Sequence, residues 1–379
     1  MGIDETELLR SCLQVRYGPR RDAALAERTR GLDTDGWESL RVHSEAERLA
    51  PLLHDAVAGR VAVPAVSLAA LQRARRATGL RNLVLQRELA RCLSALDGAG
   101  LAAIVLKGAA LAEAVYGDVS LRPMGDIDLL VRRGDLVAAS ATLHELGYES
   151  VRAETHPGTL AEYENELLFR KRGRVDTDLD VHWSLFDSPY YQSRLAMEWF
   201  WETAAPLAAA GPAALMLGPE ALLLHLCGHL ELHHYGRGLL WTYDIVEVVH
   251  RYRDRIDWDT LVTRARMYEL ARPVGAALRA AAVDWGAPVP SEAVDALAAH
   301  RQSRAEGRAI AAMASGRPPG RRFWGDLAGM GGWRRRLRFA RTHLFPSAAY
   351  MRRRYRISHR LLLPIYYPYR WLRGLRGLR

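Results

Sequence analysis

Two aspartates and one lysine are the residues best placed in this chain to do chemistry. Asp126 and Asp128 stand in Gly125-Asp126-Ile127-Asp128-Leu129-Leu130-Val131. Residues on a strand alternate between faces, so the two carboxylates point one way while Ile127 and Leu129 enter a core. Neighbouring carboxylates repel unless a cation lies between them, and Mg²⁺ takes carboxylate oxygens together with phosphate oxygens and water. Two such ions can clamp the attacking and leaving oxygens of a phosphoryl displacement. Lys107-Gly108 follows the apolar run Leu101 to Leu106, and Gly108 lies eighteen residues before Asp126. Lys107 and Lys171 are the only lysines among 53 basic residues. Lys107 is read as a point charge on phosphate. Gly108 lets backbone N–H groups approach the same anion, and a helix from Ala109 to Tyr116 offers it an N-terminus. A strand ending in Lys-Gly, a helix, then a strand with Asp-x-Asp is the layout of a metal-dependent nucleotidyl-transfer site. The plainer alternative is a βαβ unit with its Asp-x-Asp in a solvated turn.

A full two-metal site needs a third carboxylate. Arg174 to Trp183 alternates strictly, placing Asp176, Asp178, Asp180 and His182 on one face and Val175, Thr177, Leu179 and Val181 on the other. Stacked carboxylates are unfavourable without a counter-ion. The bland reading is an exposed face balanced by Arg170, Lys171, Arg172 and Arg174.

Leu106-Lys107-Gly108-Ala109-Ala110-Leu111, Tyr116-Gly117-Asp118, Leu121 to Val131, Leu146-Gly147-Tyr148, Asp180-Val181-His182-Trp183 and Trp241 to Ile245 together resemble a known family. It is the bacterial uncharacterised nucleotidyltransferase family of the polymerase-β superfamily, over roughly residues 40 to 250. That superfamily usually has Gly-Ser before its Asp-x-Asp. Lys107-Gly108-Ala109 stands there instead, as in the antitoxin-paired nucleotidyltransferase toxins. The resemblance implies an α+β fold: a polymerase-β-type core of mixed sheet and flanking helices, with helical regions on both sides. It also implies Mg²⁺ or Mn²⁺ with an NTP as substrate. Asp126, Asp128 and Asp180 would be the catalytic and metal-binding carboxylates, with Asp178 the alternative to Asp180. Lys107, Gly108 and Arg122 would bind the nucleotide. His182, His229 and Asp244 would lie on the substrate side or support it, and Asp244 equally suits a buried, paired aspartate. Arg122 has a plain alternative as a surface arginine. Trp183 has one as core rather than a stacking platform.

His225, His229 and His233 recur every four residues on one expected helix. A helix rises about 6 Å over that interval, so three such histidines rarely converge on one ion. They are read as packed or hydrogen-bonded side chains near the cleft.

The elements that must position these residues can be traced along the chain. Residues 1–98 read as helices, one opening at Ser44-Glu45-Ala46-Glu47. Another runs from Leu68 to Leu96, with Leu71, Leu80, Leu83, Leu85, Leu89 and Leu93 inward and its arginines solvated. Residues 99–217 form the nucleotidyltransferase core, with a second helix from Gly134 to Leu146. A hairpin pairs Glu166–Phe169 with Val175–Trp183. Residues 218–316 hold four helices over 220–234, 239–253, 258–270 and 273–285, the first opened by Pro219. Gly316 to Gly320 reads as a linker to a basic tail, 317–379.

Composition bounds the rest. Cys12, Cys92 and Cys227 are odd in number and far apart, which argues for a reducing cytoplasm rather than a disulfide framework. The acidic start Met1 to Glu7 is no signal peptide, and no apolar run has the length of a membrane span. The formal net charge is +10, yet residues 317–379 carry seventeen arginines and the single acid Asp326. The rest of the chain is therefore mildly acidic. Such asymmetry suggests a polyanionic partner, RNA or an anionic membrane surface. Trp333, Leu337, Ala340 and Leu344 form an apolar stripe among these arginines. The tail could equally pack on the body. The acceptor is expected to be a small molecule or peptide, or alternatively an RNA 3′ end. A non-catalytic nucleotide-binding or membrane-docking module is the third possibility.

Overall fold

The computed structural model describes residues 4–17, 21–151, 156, 159–211, 213–313, 319–330 and 332–376. Among these, strands β1 (Ala103–Val105), β2 (Ile127–Val131), β3 (Glu149–Ser150), β4 (Glu166–Lys171), β5 (Thr177–His182), β6 (Ala205–Pro206) and β7 (Leu215–Met216) make one sheet. Its order is β3-β4-β5-β2-β1-β7-β6. Pairs β2–β5 and β1–β7 are parallel and the others antiparallel. Helices flank this mixed sheet, so the fold is α+β. Every residue of β1 and β2 is buried. That explains why their other residues are all apolar and makes Asp128 the exception that needs a partner.

The β4–β5 hairpin forms where alternation places it. Its register pairs Arg170 with Asp178, Leu168 with Asp180 and Glu166 with His182. The second core helix is shorter than expected: a 3₁₀ turn, Arg133–Asp135, leads into helix Leu136–Glu145, and Gly147 follows at φ 86°. The helix after β1 spans Lys107–Ala114, two residues earlier than the sequence suggested.

The N-terminal helices differ more from expectation. Ser44 does not open a helix. It lies near the end of helix Thr34–Ala46, buried, with its hydroxyl donating to Arg41 O at 2.7 Å. Asp33 caps that helix through Gly36 N, and the chain turns at Arg48, which adopts φ 61°. Helix Ala65–Gly98 buries Leu71, Leu85, Leu89, Leu93 and Leu96, whereas Leu80 and Leu83 are 68% and 56% exposed. The buried position between them is Asn82. Its amide donates to Val119 O and Arg122 O at 2.6 and 2.8 Å and accepts from Met124 N at 3.2 Å. This helix's arginines also grip the neighbouring loop: Arg75 pairs with Asp118 at 2.7 Å, and Arg81 donates to Met124 O and Gly125 O. A polar residue at the core face is thus explained by the backbone it satisfies, which leads directly to Asp126.

Beyond the sheet, helices Pro219–His233, Leu239–Tyr252, Trp258–Met267 and Ala271–Trp285 follow the expected pattern. The first helix of the chain, Glu5–Gln14, packs near the last of these, and Gln14 donates to Asp284 O at 2.8 Å. Arg16 reaches Glu247 at 2.7 Å. One apolar core accordingly runs from Leu8 to Ala309. Cys12, Cys92 and Cys227 are free thiols buried within it. Of the expected linker, 316–318 lie outside the described residues, and Pro319–Gly329 is a helix. Helices Trp333–Leu344, Ala348–Tyr355 and Leu363–Arg376 complete the tail. Among the described residues no helix is long and apolar enough to cross a membrane.

Candidate active site

The parallel register of β2 and β5 sets Asp128 opposite Asp180 and Leu130 opposite His182. Side chains at such positions share a face, so two carboxylates are brought together on neighbouring strands. Lys107 Nζ donates to Asp128 Oδ1 at 2.7 Å, and His182 Nε2 lies 2.9 Å from the same oxygen. An ionised carboxylate only accepts, so Nε2 carries the hydrogen. Glu166 Oε2 is 3.2 Å from His182 Nδ1, but Nδ1 has no aligned hydrogen bond. Asp180 Oδ1 is also buried without a hydrogen-bond partner.

Burial alone would raise the pKa of Asp128, but the Lys107 charge and the His182 hydrogen bond outweigh it and hold the carboxyl well below its ordinary range. Asp180 goes the other way. Burial, the Asp128 charge and then Glu166 push it up to about 7. Asp126 opens to solvent just before β2. Desolvation of its carboxyl, followed by the Asp128 charge, raises it as well. Lys107 is raised despite burial, because Asp128 lies against it.

Asp128, Asp180 and His182 each offer a ligand atom, all within 4.8 Å of one another. The hard oxygens of Asp128 and Asp180 suit Mg²⁺ or Mn²⁺. The unpartnered Asp180 Oδ1 is the observation that fits such an ion. Asp126 is not in this group but lies close enough for its charge to act on Lys107 and Asp180. Asp178 is turned to Arg170, at 2.6 and 2.7 Å, and so is already paired.

Lys107 opens its helix at φ 45°, an uncommon conformation for a residue with a side chain, and that helix has no side-chain cap. No side chain of the preceding residue therefore caps its first backbone amides. Gly108 has a second reason to be glycine: a Cβ there would lie 2.2 Å from Arg122 Nη1. Arg122 is no surface residue. It is 6% exposed and grips Asp244 at 2.6 and 3.2 Å, while Tyr116 Oη donates to Asp244 at 2.8 Å. This cluster ties the loop before Asp126 to helix Leu239–Tyr252. Asp244 is therefore the buried, paired aspartate. Trp183 is 5% exposed and part of the core.

The histidines form a column. His225 and His229 rings stack at 6.0 Å and His229 and His233 at 5.1 Å. His229 Nε2 meets His234 Nε2 at 3.0 Å, and His234 stacks on Trp241 at 3.5 Å. Burial, then the nearby Lys107 charge, pushes His229 and His225 well below the ordinary histidine range. They stand as neutral rings beside the lysine.

A family model described as "Uncharacterised nucleotidyltransferase" matches residues 33–285. The chain belongs to the uncharacterised nucleotidyltransferase family. No curated protein and no solved structure matches it. The matched range of this nucleotidyltransferase family member holds Lys107, the aspartates, the β4–β5 hairpin and the histidine column, and ends before the basic tail.

Three contributors were not singled out from the sequence. Glu166 could have been found by carrying the hairpin register back to His182. Asn82 is signalled by its polar type on an apolar helical face. Arg48 donates to Pro123 O at 3.2 Å and places its charge near Asp126. Nothing local in the sequence marks it among so many arginines.

Proposed function

We propose that the chain is a metal-dependent nucleotidyltransferase that moves a nucleoside monophosphate from an NTP to an acceptor and releases pyrophosphate. The observation that carries this reading is Asp128 opposite Asp180, with one Asp180 oxygen buried and unpartnered. Asp128 and Asp180, with Asp126 at the mouth, would hold Mg²⁺ or Mn²⁺, which supplies charge neutralisation at the reacting phosphate. Lys107 and the uncapped amides from Gly108 onward bind triphosphate oxygens. For this, Lys107 exchanges its bond to Asp128 for one to phosphate. His182 keeps Asp128 oriented as the lysine moves. An acceptor oxygen attacks the α-phosphorus, its proton passes to ionised Asp180, and the bond to the β-phosphate oxygen breaks, so that pyrophosphate carries away the electron pair. Arg122 acts indirectly, fixing the loop that presents Asp126. The neutral histidine column forms the wall on the acceptor side, where a small molecule or peptide with a hydroxyl or phosphate would sit.

Calorimetric titration of each NTP with Mn²⁺ tests this. Binding should require the metal and fall at least about tenfold, roughly 1.4 kcal/mol, in Asp128→Asn/Asp180→Asn. Equal NTP affinity in the variant and the parent would remove the basis of the assignment.

A further inference from the structure

The sequence left the basic tail with three possible roles; the structure separates them. Helix Trp333–Leu344 attaches to the body through Phe339, which is 3% exposed and stands edge-on to Tyr163 at 5.0 Å. Arg338 pairs with Glu162 at 3.3 Å, and Arg335 donates to the Glu162 carbonyl. The apolar stripe of the same helix is not used for this attachment. Trp333, Leu337 and Leu344 are 69%, 62% and 41% exposed.

A second stripe repeats the pattern. Leu361, Ile365 and Leu372 recur at helical spacing along the last helix and the turn before it, and are 90%, 65% and 60% exposed. The last helix meets its neighbour through other residues. Tyr355, Tyr366 and Tyr369 pack ring against ring at 5.5 to 6.0 Å, and Trp371 Nε1 donates to Leu344 O. Arg334 and Arg341 are exposed on the first striped helix, and Arg352, Arg353 and Arg354 on the helix between the two stripes.

We infer that the tail is a peripheral docking surface for an anionic lipid bilayer. Helices with an outward apolar stripe and flanking arginines lie in the headgroup region, apolar side down, with arginines on lipid phosphates. The charge is complementary: seventeen arginines oppose one acid in residues 317–379. The type of exposed side chain chooses lipid over RNA. Single-stranded RNA is held by aromatic faces that stack on bases. Here the aliphatic side chains Leu337, Leu361, Ile365 and Leu372 are among the most exposed apolar groups of the tail, and they gain nothing from a base but are buried by acyl chains; the exposed aromatics are fewer, and Tyr369, half exposed, keeps ring contacts with Tyr355 and Tyr366. Packing on the body is excluded for the two stripes by their exposure. The inference does not depend on the nucleotidyl-transfer proposal, since the tail lies beyond the family match.

The test uses the full chain and sedimentation with vesicles of equal parts phosphatidylcholine and phosphatidylglycerol. Binding should exceed that to pure phosphatidylcholine and weaken with salt. The variant Leu337→Ser/Leu361→Ser/Ile365→Ser keeps every charge and removes only exposed side chains. It should bind at least about tenfold more weakly. Equal binding by this variant would show adhesion by charge alone and overturn the inference. So would poly(U) binding that is tighter than vesicle binding and indifferent to the variant. A second measurement needs no substitution: brominated phosphatidylglycerol should quench tryptophan fluorescence of the unaltered protein, and no quenching at saturating lipid overturns insertion.

Discussion

Asp128 and Asp180 occupy partnered positions on adjacent parallel strands, yet their carboxyl groups titrate in opposite directions from the ordinary value. The difference comes from what each one meets. Lys107 and His182 both converge on Asp128, and Asp180 is left with burial and its neighbours' negative charge.

This pair gives the metal-free protein a specific pH behaviour. Asp180 is raised to about 7 from 3.8, so its stabilising contribution is complete below 3.8 and is lost as pH rises to about 7. Asp128 is lowered, so its contribution is present above 3.8 and lost only in stronger acid. Thermal melts between about pH 5 and 8 should therefore show Asp180→Asn flattening a decline seen in the parent. Mn²⁺ should reverse the decline in the parent alone. An identical pH profile in the two proteins would contradict the assignment of this group.

Loss of Asp128 should be more damaging to turnover than to folding. Asp128→Asn is expected to lower kcat/KM about 10³-fold or more, roughly 4 kcal/mol of transition-state stabilisation, with the fold intact by circular dichroism. A loss of less than about tenfold would place the metal elsewhere.

Lys107 should act on phosphate rather than on the base. Lys107→Ala is expected to weaken NTP binding about 10-fold to 100-fold while leaving nucleoside binding nearly unchanged. Its left-handed backbone adds a check: Lys107→Gly should be more stable than Lys107→Ala by about 1 kcal/mol, with the same binding defect. Equal losses for NTP and nucleoside would argue against the role.

Arg122 and Asp244 form a buried pair whose single loss leaves a charge uncompensated. Arg122→Met should destabilise by about 3–5 kcal/mol, and Arg122→Met/Asp244→Leu should recover part of that loss. Chemical denaturation of the three proteins measures it. If Arg122→Met were neutral for stability and abolished NTP binding, the arginine would be a direct nucleotide ligand.

Much of the site was legible because strand alternation is local. It gives the shared face of Asp178, Asp180 and His182 and the hairpin that contains them. Local pattern could not decide between Asp178 and Asp180, because that depends on which strand lies alongside β5 and in what register. Arg122 illustrates a second limit. Its partner is 122 residues away, and in an arginine-rich chain no local signal distinguishes a buried arginine from a surface one. Leu80 and Leu83 were placed inward by spacing, whereas Asn82 is buried in fact, because an amide that satisfies three backbone groups outweighs apolar burial there. Ser44 failed as a cap because Asp33 already starts that helix.

The central claim is transfer of a nucleoside monophosphate with release of pyrophosphate. It is tested most directly by incubating the purified chain with Mg²⁺ or Mn²⁺, cell extract and each NTP, labelled in parallel at the α- or the γ-phosphate. The expected result is α-label entering a protein, peptide or small-molecule fraction, γ-label leaving as pyrophosphate, and neither occurring with Asp126→Asn/Asp128→Asn. Transfer of γ-label, or α-transfer undiminished in that variant, would contradict it.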